Sequence, residues 1–157
     1  MASVKRLEDL EIWQLSRLLC NDIFEIIRNT GLNRNFKLAN QIEGSSGSVM
    51  DNIAEGFERN GNKEFIQFLS IAKASCGETR SQLYRILDRK FISQEKFDKL
   101  RSQTEQLSIK ISNLMDYLSK SEMKGSKYNK PKDWQRILLN DQNTIWTLER
   151  LNDVNNN

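Results

Sequence analysis

An all-α fold, an antiparallel up-down four-helix bundle with a C-terminal extension, is what this sequence of 157 residues encodes. Apolar residues recur at steps of three and four through four successive segments, the period of a helix with one buried face. The joints between the segments are short, which favours antiparallel neighbours. The single proline, Pro131, lies beyond all four, so proline bars nothing before it from helix.

The first segment runs from about Glu8 to Arg28. One of its stripes is Ile12, Leu15, Leu19, Ile23 and Ile26, and a second is Leu10, Trp13, Cys20, Phe24 and Ile27. Together they cover about half the circumference, more than one bundle seam requires. Leu10, Trp13, Phe24 and Ile27 are therefore expected to line a contact between copies of the chain. Gly31 is expected to stop the helix.

The second segment contains EGSSGSVMDNIAEG, residues 43–56, which at first sight resembles a linker or a phosphate loop. Its small and apolar positions, Ala39, Ile42, Ser46, Val49, Ile53 and Phe57, keep helical phase straight through the glycines. A linker would not hold phase, so residues 36–58 read as one helix. Each interior glycine costs roughly 1 kcal/mol relative to alanine. The expected compensation is close approach of another helix at Gly47. The third segment supplies a partner. Phe65, Leu69, Ala72, Cys76, Thr79, Leu83 and Ile86 keep the same rhythm, and residues 72–77 are again small. With a turn at Asn60-Gly61, the two small patches are expected to face each other. Glu43 and Glu78 are expected to be partly buried beside them, with Lys73 or Arg80 as partners.

The fourth segment is Phe97, Leu100, Thr104, Leu107, Ile111, Leu114 and Leu118, with Ser93 as N-cap and Glu95 in the first turn. The bundle is assigned to residues 1–123 and a basic extension, partly disordered, to 124–157.

Composition narrows the functional classes. The sequence has no histidine, which removes histidine-based general base and nucleophile catalysis and the Glu-x-x-His pattern of di-iron bundles. Cys20 and Cys76 have no metal-ligand spacing, and Cys76 falls on the core stripe. Gly44 and Gly47 lack the lysine and the preceding strand of a phosphate loop. Asp51, Glu55 and Glu58 share a flank, but Glu55 stands four residues before Arg59 and reads as an ion pair. No catalytic residue, metal or cofactor is expected. MASVKRLEDL has no apolar core, so no signal peptide is expected, and no apolar run reaches membrane-spanning length. The expected setting is the cytoplasm.

Net charge is +3, unevenly spread. Residues 61–90 carry six basic and three acidic side chains, and residues 123–157 carry six and four. Lys73 and Arg80 share one face of the third helix, and Arg85, Arg89 and Lys90 cluster near its end, where complementing the helix C-terminus accounts for part of the cluster. The extension interleaves Lys124, Lys127, Lys130, Lys132 and Arg136 with Tyr128 and Trp134. Cations among aromatics suit nucleic acid. A solvated arm whose Trp134 packs on the bundle accounts for the same residues.

One constellation is more specific. Ser48-Val49, Asn52-Ile53-Ala54-Glu55-Gly56, Arg59, Glu64-Phe65, Phe68-Leu69, Ala72, Ser75 and Glu78, with LEDLEIW at residues 7–13, resemble the four-helix bundle proteins encoded in intervening sequences of bacterial 23S rRNA genes. Accessory proteins of diversity-generating retroelements share that fold. The resemblance covers about residues 7–120. It implies a homopentamer of bundles without known catalysis that binds nucleic acid, RNA or DNA, in an accessory role, and a reverse transcriptase or other protein as a further partner. Gly47, Asn52, Glu55, Gly56, Arg59, Ser75 and Glu78 are the residues the resemblance singles out. Where such proteins carry arginine before the small run, this chain has Glu43-Gly44. That moves the expected nucleic-acid surface away from the second helix and toward the extension. A scaffolding oligomer with no nucleic-acid role is the competing expectation.

Overall fold

The computed structural model describes Val4, residues 6–59 and residues 61–120. Four helices follow one another: α1 (Glu11–Asn29), α2 (Phe36–Glu58), α3 (Asn62–Asp88) and α4 (Gln94–Lys120). Short 3-10 turns, Leu7–Asp9 and Gly31–Arg34, precede α1 and α2. The extension from residue 124 lies outside the described residues.

Local chemistry sets each boundary. Asn35 Oδ1 accepts from the Leu38 N–H at 3.3 Å and starts α2. Ser93 Oγ accepts from the Lys96 N–H at 3.2 Å and starts α4, as its sequence predicts. The end of α1 differs from expectation. Thr30, extended at φ −123°, breaks the helix, and Gly31 merely opens the next turn. Thr30 Oγ1 donates to the Ile26 carbonyl at 2.6 Å and accepts from the Leu32 N–H at 3.2 Å. A threonine hydroxyl satisfying both sides of the break removes the need for a left-handed glycine. Gly61, by contrast, sits at φ +156°, where a side chain would be strained, and joins α2 to α3.

Cross-helix bonds establish antiparallel neighbours. Ser48 pairs with Ser75 at 2.9 Å, Ser45 with Thr79 at 2.8 Å and Gln82 at 2.6 Å, and Gln41 with Arg85 at 3.1 Å. Residue numbers fall along α2 as they rise along α3. The Cys76 thiol donates to the Thr104 carbonyl, and Asn62 Nδ2 donates to the Leu118 carbonyl, so α4 runs back along α3. Between α1 and α4, Gln103 Nε2 donates to Asp22 Oδ2 at 2.8 Å, and Lys110 Nζ meets Glu11 Oε1 at 2.9 Å. The core takes Ile12, Leu19, Ile23 and Ile26 from α1, and Ile42, Val49 and Ile53 from α2. All seven stripe residues of α3 and all seven of α4 are buried.

The two small patches do face each other, but their serines make the contact. Built on the backbone, a Cβ at Gly44 or Gly47 meets nothing within 4 Å. The close approach expected at Gly47 therefore falls elsewhere, at Gly56. A Cβ there would lie 2.7 Å from Phe65 Cδ2 and 2.8 Å from Phe68 Cβ. The reason is geometric: α2 and α3 are joined by a tight turn, so their backbones are crowded beside it. Glu43 and Glu78 are exposed, contrary to expectation, because serines and threonine fill the seam between the helices. Leu10 is likewise corrected. It is extended and precedes α1, so its side chain leaves the helical phase and enters the core at 1% exposure.

Both thiols are inert by environment. Burial pushes Cys20 and Cys76 from 9.0 up to about 11. Because the folded-state values are raised, this contribution to stability is intact below pH 9.0 and is lost as pH climbs toward about 11. Thiolate absorbance is therefore expected to appear near pH 9 in the urea-unfolded chain and well above it in the folded protein. Coincident titrations would contradict the burial.

The glycines give a paired expectation, read by urea denaturation. Gly56→Ala forces a methyl into phenylalanine and is expected to cost roughly 1–3 kcal/mol. Gly47→Ala enters open space and is expected to stabilise by roughly 1 kcal/mol through helix propensity. A neutral Gly56→Ala, or a Gly47→Ala that costs stability, would contradict this placement.

Candidate nucleic-acid interface

The basic residues expected on the bundle lie along α3. Lys73, Arg85 and Arg89 are exposed and Arg80 is half-buried. Lys73 and Arg80 are two turns apart on one face, about 10 Å along the axis. Arg85 reaches across to α2, where Nη2 donates to Gln41 Oε1 at 3.1 Å. Arg89 caps α3 with its N–H on the Arg85 carbonyl at 3.2 Å. Lys124, Lys127, Lys130, Lys132 and Arg136 lie outside the described residues.

The motif shared with the resembled proteins is mostly architectural. Asn52 Nδ2 donates to the Ser48 carbonyl at 2.7 Å and to Ser48 Oγ at 3.0 Å, and Ser48 Oγ meets Ser75 Oγ at 2.9 Å. These three residues fasten α2 to α3. Gly56 admits Phe65. Arg59 pairs with Glu55 at 2.7 Å, and its guanidinium stands 5.3 Å from the Phe68 ring centroid. Glu78 is exposed, and Gly47 borders open space. Among the described residues, no three Cys, Asp or Glu side chains converge to hold a metal ion.

Topology adds a feature that the linear sequence hides. The α1–α2 and α3–α4 connections lie at one end of the bundle, and the α2–α3 connection lies at the other. Residues 28–41 contain Arg28, Arg34 and Lys37 and no carboxylate. Residues 85–99 contain Arg85, Arg89, Lys90, Lys96 and Lys99 against Asp88, Glu95 and Asp98. This end therefore carries eight basic and three acidic side chains, net +5. The opposite end combines residues 6–11, 51–64 and 110–120. It carries five basic and eight acidic side chains, net −3. The cations also differ in engagement. Among the described residues, only Arg28 of those eight basic side chains stands in an ion pair, with Glu25 at 3.7 Å. At the acidic end Arg6, Arg59 and Lys110 are all paired.

The two connections at the basic end touch. A Cβ on Gly31 would lie 3.3 Å from Arg34 Nη2 and 3.6 Å from Phe91 Cε1. Between Arg34 and Lys37 stands Phe36, 73% exposed. It opens α2, and helical side chains lean toward the N-terminus, so the ring projects past the end of the helix. Sequence reading missed Arg34, Phe36, Lys37, Lys96 and Lys99, and placed Lys90 only in the cluster with Arg85 and Arg89 at the end of α3. A window over residues 1–60 nets −2 and hides the carboxylate-free run inside it. Only the topology unites that run with residues 85–99.

A family model described as 23S rRNA-intervening sequence protein matches residues 8–113. A crystal structure of a protein of unknown function from the S23 ribosomal protein family of Bacteroides thetaiotaomicron superposes with a TM-score of 0.61 at 18% identity. The match covers 66% of this chain and 97% of that one, and it reports a common fold. No curated protein matches the sequence.

Proposed function

Given that this chain belongs to the 23S rRNA-intervening sequence protein family, we propose that it acts without catalysis, as a homopentamer that binds RNA or DNA through charge in an accessory role. The observation that carries the reading is the charge separation along the bundle, +5 at one end and −3 at the other, with seven of the eight cations of the basic end, all but Arg28, outside any ion pair among the described residues. Unpaired cations on a rigid end attract a polyanion and keep their charge available for phosphate.

Assembly is the second part of the proposal. Phe24 is 50% exposed, and Trp13 and Ile27 are half-buried on the outer side of α1. Cys20, between them, turns inward and donates to the Ser46 carbonyl at 3.3 Å. Phe24, Trp13 and Ile27 suit burial against a neighbouring copy. One chain carries +3, and five carry 5 × 3 = +15. A ring repeats each weak phosphate contact and raises the overall affinity without any new contact. The reading does not require a membrane. No helix among the described residues is long and apolar enough to cross one.

Two measurements test the parts separately. Light scattering on the purified protein is expected to give a mass near five chains, and a monomer at micromolar concentration would contradict the assembly. Affinity for a structured RNA and for a duplex DNA is expected to fall roughly 10³-fold or more between about 50 and 200 mM salt, the signature of six or more phosphate contacts. An oligomer with no detectable affinity at low salt would contradict nucleic-acid binding and favour a scaffold, with a reverse transcriptase or other protein as its partner.

A further inference from the structure

We propose that the basic end of the bundle takes unpaired segments of nucleic acid, with Phe36 as the base-stacking platform and Arg34, Lys37 and Lys90 as phosphate contacts. This rests on the nucleic-acid reading above and adds to it the class of ligand and the residues that recognise it.

Two observations support it beyond net charge. The first is Phe36, the most exposed of the large apolar side chains among the described residues. An aromatic ring in water is costly, yet nothing in the local fold requires one here. The N-cap belongs to Asn35, and the buried contacts of the first turn belong to Leu38 and Ala39. A free ring flanked by cations at two residues before and one after matches the stacking-plus-charge pattern of single-strand binding. A duplex keeps its bases stacked on one another and offers this ring nothing.

The second is Lys90. It sits at φ 59°, the left-handed region, and is the only non-glycine residue there among the described residues. The Phe91 N–H bonds the Ile86 carbonyl at 3.1 Å and the Lys90 N–H bonds the Leu87 carbonyl at 2.8 Å, which closes the helix in a Schellman motif. Glycine is the usual and easiest residue at that position. A lysine held there is strained backbone, and its side chain is exposed at the end of α3. Phe91, next in sequence, packs beside Gly31 of the other connection. Lys90 and the Arg34–Lys37 turn are therefore parts of one continuous surface.

The test uses the full-length protein and a fluorescein-labelled single-stranded RNA 12-mer, alongside the duplex of the same sequence, read by anisotropy at about 50 mM salt. Phe36→Ala is expected to weaken single-strand binding by roughly 5- to 100-fold and to leave duplex binding within about 2-fold, while Phe36→Trp retains single-strand binding. Lys90→Gly restores the residue that the backbone prefers. It is expected to leave the melting temperature unchanged or raised, yet to weaken both ligands and flatten the salt dependence by about one phosphate. If the wild-type protein binds both ligands and Phe36→Ala changes neither, or weakens both equally, the stacking site is wrong while the charge-based reading stands. A Phe36→Ala protein of altered mass by light scattering would make Phe36 a contact between copies and overturn the site. Absence of wild-type binding to either ligand would overturn both proposals together.

Discussion

The hydroxyl-lined contact between α2 and α3 is the constraint on which the rest of this molecule depends. Small side chains let two long helices approach closely, and Ser45, Ser48, Ser75, Thr79 and Gln82 then bond across the gap. Buried hydroxyls without partners would be costly, so only a register that pairs them is stable. That register fixes which faces remain for α1 and α4, and apolar stripes on both complete the core. Gly56 belongs to the same device, since the tight turn at Gly61 leaves no room for a side chain under Phe65. The seam thus explains why residues 43–56 look like a linker. Their serines and Gly56 serve helix packing, whereas Gly44 and Gly47 face outward with nothing beside them.

Up-down order then sorts charge. Once the helices alternate in direction, residues far apart in sequence share an end. A run without carboxylates in the first connection meets a lysine- and arginine-rich stretch in the second. Neither is notable alone. Together they give the bundle a polarity that no property of a single helix would supply, and at the positive end stand an exposed aromatic ring, Phe36, and a left-handed lysine, Lys90. On this account ligand binding resides in what the turns bring together, and the outer face of α1 serves assembly.

Much of this was legible in the sequence. The limits of α2 and all seven core positions of both α3 and α4 follow from periodicity alone, because an amphipathic helix announces its buried face. The Glu55–Arg59 pair and the Ser93 cap were equally plain, being local. What failed was non-local or depended on phase at a helix end. Leu10 fits the outer stripe by counting, but the helix starts one residue later. Gly47 and Gly56 are the same residue type, and only the path of the neighbouring chain tells which one is crowded. The candidate site was half-legible. Arg85 and Arg89 were found as part of a basic segment, whereas Arg34, Phe36 and Lys37 lay in a stretch whose average charge is negative.

The central claim is that nucleic acid meets the basic end of the bundle. It is tested most directly by photo-crosslinking a 4-thiouridine-containing RNA to the purified protein at low salt and mapping the modified peptides. The account predicts adducts within residues 32–41 and 85–99, with Phe36 among them. Adducts confined to residues 51–64 or 110–120, at the acidic end, would contradict it.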